Sequence, residues 1–536
     1  MSLTTRGVRR APAPALRGDN DAVATAESRL VGRLRRLEPP DVVALVAIGV
    51  VLRFATTSAL WLDEALSVNI ASLSLGDIPD ALRQDGHPPL YYFLLHGWMS
   101  VFGEGDVAVR ALSGVFGVAA LPLAWLAGRR LGGRQAAWIA LVLTALSPFA
   151  VRYATEARMY ALVTLLVFAG YLVVGSALER PSTGRLAGVV ALSAALLYTH
   201  YWAMWLLGAL ILTLGWRAWR ARRAGRPDDA RAPVRLIGAL VVGGLLFVPW
   251  AGVLLYQAAH TGTPWALPLR PTAIVSGTIA DFGGGAAPES VLLGWGLVVC
   301  GILALFGRPL DHRRIELDVR TMAQVRPELA LVALTLIAGT VTGYLGGSTY
   351  ASRYAAVFFP LVIVVVAVGV TRLTGWVPRT ALLGALVALS LVGGARGVFD
   401  QRTQAEEVAS VITAEGRRGD VVAYCPDQLG PAGERALPAG FDQVTYPALA
   451  TPGRVDWVDY EERNDAADPE AVAQRVLERV GAGRGLWVVF STGYRTHEDS
   501  CVELVNAVLR ERPGEAVLDA ESEFFEPAGV YHFPPS

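Results

Sequence analysis

The chain of 536 residues is poor in cysteine and poor in charge. Three cysteines are too few for a disulfide scaffold. None stands in a Cys-x-x-Cys or zinc-ligand spacing. Charged residues make up 18%, against about a quarter in soluble globular proteins, which excludes an ordinary soluble enzyme. Lysine is absent, so all 47 basic residues are arginine, and 47 acidic residues balance them to zero net charge. Whole-chain attraction to nucleic acid is thereby excluded, and no nucleic-acid partner is expected. The first forty residues, rich in Ala, Pro and Arg, lack the apolar core of a cleavable signal peptide.

What is abundant is apolar sequence, 53% with a mean hydropathy of +0.41. Runs of about twenty residues, long enough to span a bilayer, start near Val42, Val107, Gln135, Ala157, Leu186, Tyr201, Leu236, Val291, Glu328, Ala355 and Ala381. They predict about eleven spans. The run His87–Phe102 is too short and predicts a helix lying in the interface. With that helix non-spanning, the arginines alternate cleanly between loops. They crowd the N-terminus, Arg129–Arg134, Arg180–Arg185, Arg217–Arg235, Arg308–Arg326 and Arg372–Arg379. The positive-inside rule makes those loops and the N-terminus cytoplasmic, in an integral plasma-membrane protein.

Three parts follow. Residues 1–40 are expected to be a disordered cytoplasmic tail. Residues 41–399 form a polytopic α-helical membrane domain with a first outer loop over 61–106. Residues 400–536 have no membrane-length run, and short strands alternate with amphipathic helices. They predict an extracytoplasmic α/β domain. Its strands are expected at Asp420–Tyr424, Leu486–Phe490 and Gly529–Phe533, and its helices at Thr403–Glu415, Pro469–Val480 and Glu498–Arg510. Cys425 and Cys501 lie in this part, and a disulfide and two buried free thiols both stay open.

Ionisable groups near membrane depth are costly and invite functional readings. Asp63 and Glu64 are adjacent where the first span ends. Asp85 and His87 open the interfacial segment Asp85-Gly86-His87-Pro88-Pro89-Leu90, and Arg110 begins the next span. Glu156, Arg158 and Tyr160 mark one outer corner, His200 a second, and Arg353 with Tyr354 a third. The topology puts all of them on one face. Each also has a bland reading: a solvated acid, a snorkelling arginine, a Glu156–Arg158 structural pair, a belt histidine at His200. His96 reads as packing. Asp427 and Gln428 read as surface turn residues rather than acceptor contacts.

Taken in order, Asp63-Glu64, His87-Pro88-Pro89-Leu90, the stretch Asp106–Gly133, Glu156-Ala157-Arg158-Met159-Tyr160 and Ser352-Arg353-Tyr354 resemble the membrane glycosyltransferases of the GT-C fold. The likeness is to the family 39 type, which includes protein O-mannosyltransferases and lipid A aminoarabinose transferases. It covers roughly 42–370. It implies an inverting transfer of a sugar, mannose- or arabinose-like, from a polyprenyl-phosphate donor to a glycan, lipid or protein acceptor outside the cytoplasm. Asp63 matches the family's catalytic base, with Glu64 beside it. His87 and Arg353 match positions associated with the carrier phosphate, and Arg110 and Arg158 are further donor-phosphate candidates. Asp85, Glu156, Tyr160, His200 and Tyr354 are expected to support the site or bind substrate. His87 departs from the lysine usual in the aminoarabinose branch. No cofactor is implied; a divalent metal at Asp63–Glu64 stays open, although no ligand spacing argues for it. The competing class is a transporter or flippase of lipid-linked substrates. That class more typically shows midplane charges, broken helices and internal repeats, whereas here the charges gather at one interface and no repeat is seen.

Overall fold

A computed structural model describes residues 39–266, 268–346, 349–497 and 499–535. The expected tail, 1–40, lies outside the described residues apart from the backbone of Pro39 and Pro40. Each long apolar run is helical, as it must be where only the chain itself can satisfy its backbone polar groups. Helix α1 (Pro39–Leu52) is followed by three short helices of the first loop: α2 (Leu62–Ala71), α3 (Ile78–Asp85) and α4 (Leu90–Phe102). With 13 residues, α4 is about 20 Å long, too short to span.

Helix α5 (Asp106–Leu146) runs for 41 residues, about 60 Å and twice the hydrocarbon thickness. It is two helices joined at a reversal. Gly133 has φ 76°, a conformation open chiefly to glycine. A Cβ on Gly128 would lie 2.7 Å from the Ala136 carbonyl and 2.8 Å from the Ala140 Cβ. In one straight helix residues 128 and 140 would be about 18 Å apart. The chain therefore doubles back at Arg129–Arg134, where the sequence separates two apolar runs.

The bundle continues with α6 (Pro148–Ala154), α7 (Tyr160–Glu179), α8 (Thr183–Thr199), α9 (Ala203–Arg223), α10 (Arg231–Leu245), α11 (Val248–His260), α12 (Pro271–Gly283) and α13 (Pro288–Phe306). A small hairpin of β1 (Gly307–Pro309) and β2 (Ile315–Leu317) precedes α14 (Arg326–Leu345), α15 (Phe359–Thr371) and α16 (Trp376–Phe399). Among the described residues, α5, α7, α13, α14 and α16 are long and apolar enough to cross a membrane, and α10 with α11, bent by 67°, adds a sixth if counted as one span. These helices make the chain an integral membrane protein. Helix α15 is apolar on every side and almost wholly buried, the pattern of a helix at the centre of a bundle.

Beyond α16 the chain builds a mixed five-stranded sheet in the order β4-β3-β5-β7-β6. Its elements are α17 (Ala405–Glu415), β3 (Val421–Cys425), α18 (Gly430–Ala436), β4 (Asp442–Thr445), α19 (Tyr460–Asp465), α20 (Pro469–Val480), β5 (Leu486–Phe490), α21 (Ser500–Glu511), β6 (Glu515–Leu518) and β7 (Gly529–Phe533). Strand alternation sends Val421, Ala423, Leu486 and Val488 against α20 and α21. It sends Val422, Tyr424, Trp487 and Val489 to the other face with α17. Strands β4 and β6 were not anticipated from the sequence. They are four-residue edges, and β6 is half-exposed, so neither carries a strong apolar alternation. Cys425 and Cys501 are joined in a disulfide that ties β3 to α21.

Candidate active site

The first turn of α2 holds Asp63 and Glu64, where acidic side chains suit the helix dipole. No side chain of α2's own N-terminus caps it. The cap comes from the far end of the chain: the Leu62 N–H donates to both carboxylate oxygens of Glu526, at 3.2 and 3.3 Å. Trp61 meets Phe525 edge-on at 5.1 Å. Trp61, Leu62 and Leu66 pack with Val455, Trp457 and Tyr460. The C-terminal unit therefore clamps the helix that presents the two acids. Burial raises the Glu526 carboxyl to about 8, with the Asp63 and Glu64 charges adding to the rise.

Adjacent helical residues point about 100° apart, and the two acids meet different partners. Glu64 is fully buried. Its oxygens accept from Arg110 Nε at 2.7 Å and Nη2 at 2.6 Å, and from the Ala157 N–H at 2.9 Å. Arg402 Nη1 is 3.4 Å away. Burial opposes ionisation of Glu64, but Arg110 and Arg402 outweigh it and hold the carboxyl below its usual range. The other Arg110 nitrogen contacts are to the Ser58 and Ala59 carbonyls, at 2.6 and 2.9 Å. This geometry revises two expectations. Glu64 is a buried partner of Arg110 rather than a second catalytic acid, and four of the five Arg110 N–H donors are spent on Glu64 and on the Ser58 and Ala59 carbonyls.

Asp63 faces Arg353 Nη1 at 3.2 Å and Arg158 Nη2 at 3.7 Å. Burial would raise its carboxyl, yet the Arg158 and Arg353 guanidiniums hold it below the usual range, so Asp63 is ionised. Arg158 also donates to the Asp63 carbonyl and to Ser67 Oγ. Several buried atoms here lack hydrogen-bond partners: Asp63 Oδ2, Arg158 Nε, Arg353 Nε and Tyr160 Oη. Buried polar atoms are seldom left so, and their gathering marks a place built for a polar ligand. Trp265 lies against the Arg353 guanidinium, 5.1 Å from its ring centre.

A relay leads inward from Arg158. Its Nη2 is 2.9 Å from His87 Nε2. With Nε2 accepting, the ring proton sits on Nδ1, which is 2.8 Å from Asp85 Oδ2. Tyr92 donates to the same oxygen at 3.0 Å. Both His87 nitrogens are engaged, so His87 orients Arg158 instead of meeting a phosphate directly. Gly86 makes the turn possible: it caps α3 with φ 90° and lets the chain swing into the proline pair that starts α4.

The remaining expectations divide. Glu156 pairs with Arg152 at 3.2 Å, not with Arg158. Arg152 also reaches toward Asp281, which accepts from Tyr153 at 3.2 Å. Glu156 therefore braces the corner. His200 is buried between Tyr160 and Tyr354, with ring centres 5.7 and 5.3 Å away. Burial lowers it to about 3, leaving a neutral packing residue that accepts from the Trp202 N–H. His96 is a packing residue that bonds the Ala71 carbonyl. Asp427 and Gln428 are not surface turn residues. Both are buried and join Tyr460, while His497 bonds the same Tyr460 hydroxyl. Burial lifts Asp427 to about 7.

Sequence reasoning missed Arg402, Arg152 and Glu526. The arginines carried a usable signal. Each stands outside the arginine-rich loops that the positive-inside reading expects to be cytoplasmic. Glu526, 462 positions after Glu64 by their numbers, carried none.

For a metal, the acid pair is unsuited. Glu64 is closed off by Arg110, and Asp63 is flanked by two guanidiniums that would repel a cation.

Residues 86–251 match the dolichyl-phosphate-mannose-protein mannosyltransferase family. Among solved structures, the chain resembles ArnT from Cupriavidus metallidurans bound to undecaprenyl phosphate. That likeness has a TM-score of 0.56 at 13% identity and covers 92% of this chain and 97% of that one. The apo form of the same ArnT gives 0.54 at 14% identity over the same shares. AglB from Archaeoglobus fulgidus, in complex with an inhibitory peptide and a dolichol-phosphate, gives 0.45 at 12% identity over 92% and 74%. No curated protein matches the sequence. The chain thus has the GT-C fold, and its residues 86–251 are similar to the mannosyltransferase family. At 92% coverage the likeness to ArnT extends past residue 399, further along the chain than the sequence resemblance reached.

Proposed function

We propose that the chain is an inverting glycosyltransferase that moves a sugar from a polyprenyl-phosphate donor to an acceptor hydroxyl. The observation that carries this is the single carboxylate of Asp63 set between Arg158 and Arg353. One group can take a proton where the acceptor attacks. The two guanidiniums can take a phosphate where the donor departs, and their planar forks suit its oxygens.

The acceptor O–H loses its proton to Asp63 as its oxygen attacks the anomeric carbon. The bond from that carbon to the phosphate oxygen breaks on the opposite face, through an oxocarbenium-like transition state. The carrier phosphate leaves with the bonding electrons. Arg158 and Arg353 neutralise the growing charge, and His87 with Asp85 holds Arg158 in place. Both guanidiniums hold Asp63 down while no phosphate competes for them. A donor phosphate drawing them away would return basicity to Asp63, coupling base activation to donor binding.

In this reading the eleven apolar runs cross the membrane with the N-terminus cytoplasmic. The site and the C-terminal unit lie outside, on the side from which the acceptor arrives. Mannose, arabinofuranose and aminoarabinose carriers are the donors to try. The purified protein is incubated with a panel of polyprenyl-phosphate sugars and an envelope fraction of glycans, lipids and proteins as acceptors, and release of the carrier phosphate and the linkage formed are followed. One donor should turn over with inversion and fail with Asp63→Asn; release that persists in that variant refutes the assignment.

A further inference from the structure

At the opposite end of α7 from Tyr160, the bundle contains a cavity of about 1820 Å³ between the ends of α7, α9, α10 and α14. Helix α7 has 20 residues, so the mouth of the cavity beside Glu179 lies about 30 Å from the candidate active site. Eight arginines line it against four carboxylates. Three of the eight are matched in ion pairs: Arg130–Glu179 at 2.6 Å, Arg226–Asp229 at 3.2 Å and Arg231–Asp228 at 2.8 Å. Among the described residues, no carboxylate lies within ion-pair distance of Arg217, Arg220, Arg223 or Arg235. The first three recur at three-residue spacing along one face of α9. Arg223 stacks on Trp219 at 4.4 Å, and Trp219 stacks on Trp216.

The rest of the wall is apolar. Tyr171, Val174, Leu210 and Leu331 also line a second, apolar crevice that continues between the helices to Leu196 and Leu240. An arginine mouth that opens into an apolar crevice at a membrane-facing helix end has the shape and chemistry of a phospholipid. Its volume exceeds the roughly 300–1,000 Å³ of small-molecule pockets.

We propose that this cavity binds an anionic phospholipid of the leaflet opposite the active site. Its phosphate is held by Arg217, Arg220, Arg223 and Arg235, and its acyl chains follow the apolar wall. Basic pockets between spanning helices recognise phosphate headgroups in this way. In the proposed function the sugar carrier's phosphate sits at Arg158 and Arg353, about 30 Å from these arginines, and on that reading a different anionic lipid fills the cavity.

The full chain, delipidated in detergent, is titrated by native mass spectrometry with phosphatidylglycerol and with phosphatidylcholine of equal chain length. Phosphatidylglycerol should bind at least about tenfold tighter, and added salt should erode the preference. The exposed triple variant Arg217→Gln/Arg220→Gln/Arg235→Gln should keep its melting temperature and lose most of that preference. Equal binding of the two lipids, or an undiminished preference in the triple variant, overturns the proposal. So does displacement by millimolar inorganic phosphate, or tighter binding of a polyprenyl phosphate at the same arginines. No step of the test depends on sugar transfer, so its outcome is independent of the glycosyltransferase reading.

Discussion

Replacing Arg110 by methionine separates the two acids of the Asp63–Glu64 pair. Glu64 has no solvent exposure, so its charge cannot be rescued by water. Removing one partner of a buried ion pair costs about 3–5 kcal/mol. Arg402 at 3.4 Å and the Ala157 N–H at 2.9 Å remain, which places the electrostatic part near the lower end. The Ser58 and Ala59 carbonyls also lose their donor, adding about 1 kcal/mol each if left unsatisfied. The expected loss is therefore about 4–5 kcal/mol. Glu64→Leu alone should cost a similar amount by stranding Arg110. The double variant should cost much less than the sum, because the uncompensated charge disappears, with a coupling of about 2–3 kcal/mol. Denaturant unfolding in detergent, followed by tryptophan fluorescence, measures all three. An Arg110→Met protein that unfolds at the wild-type midpoint would refute the reasoning, as would strictly additive costs.

Asp63→Asn should lower turnover by about 10²–10⁴-fold at a smaller stability cost than Glu64→Leu, because Asp63 Oδ2 accepts no hydrogen bond from either guanidinium; a stability loss matching that of the Glu64 variant would contradict the division of roles. Arg353→Ala should reduce turnover about 10²–10³-fold and weaken donor more than acceptor, which separate saturation curves for the two substrates would show. Glu526, raised by burial to about 8, binds a proton in the folded state that the unfolded chain releases near its usual value of 4.5. Its contribution to stability is thus complete below about pH 4.5 and declines as pH rises toward 8. Glu526→Gln, which mimics the protonated acid, should flatten that part of the pH–stability curve; an unchanged curve would remove the cap from the account. Cys425→Ser with Cys501→Ser should destabilise the C-terminal unit by about 2–5 kcal/mol, read as earlier proteolysis after residue 400.

Hydropathy and arginine placement were enough to read the chain as a polytopic helical protein, to separate the two halves of α5 and to expect three of the five strands of the C-terminal sheet. They were enough because bilayer thickness and strand alternation act on neighbouring residues, and such rules are written along the chain. The gathering of Asp63, His87, Arg158 and Arg353 was legible for the same reason, since each stands where an apolar run meets water. The division between Asp63 and Glu64 was not legible. Two adjacent acids look alike in sequence, and only the meeting of α2 with α5 shows which one Arg110 neutralises. Arg402 and Glu526 act on α2 across more than 300 positions, and no local pattern encodes such a contact. Position along the chain alone led to the expectation that Asp63, His87, Arg158 and Arg353 would gather in one place. The tertiary structure alone decided which of them are closed into buried pairs and which remain free to act, because a partner's distance in space, and not along the chain, sets whether a buried charge is neutralised.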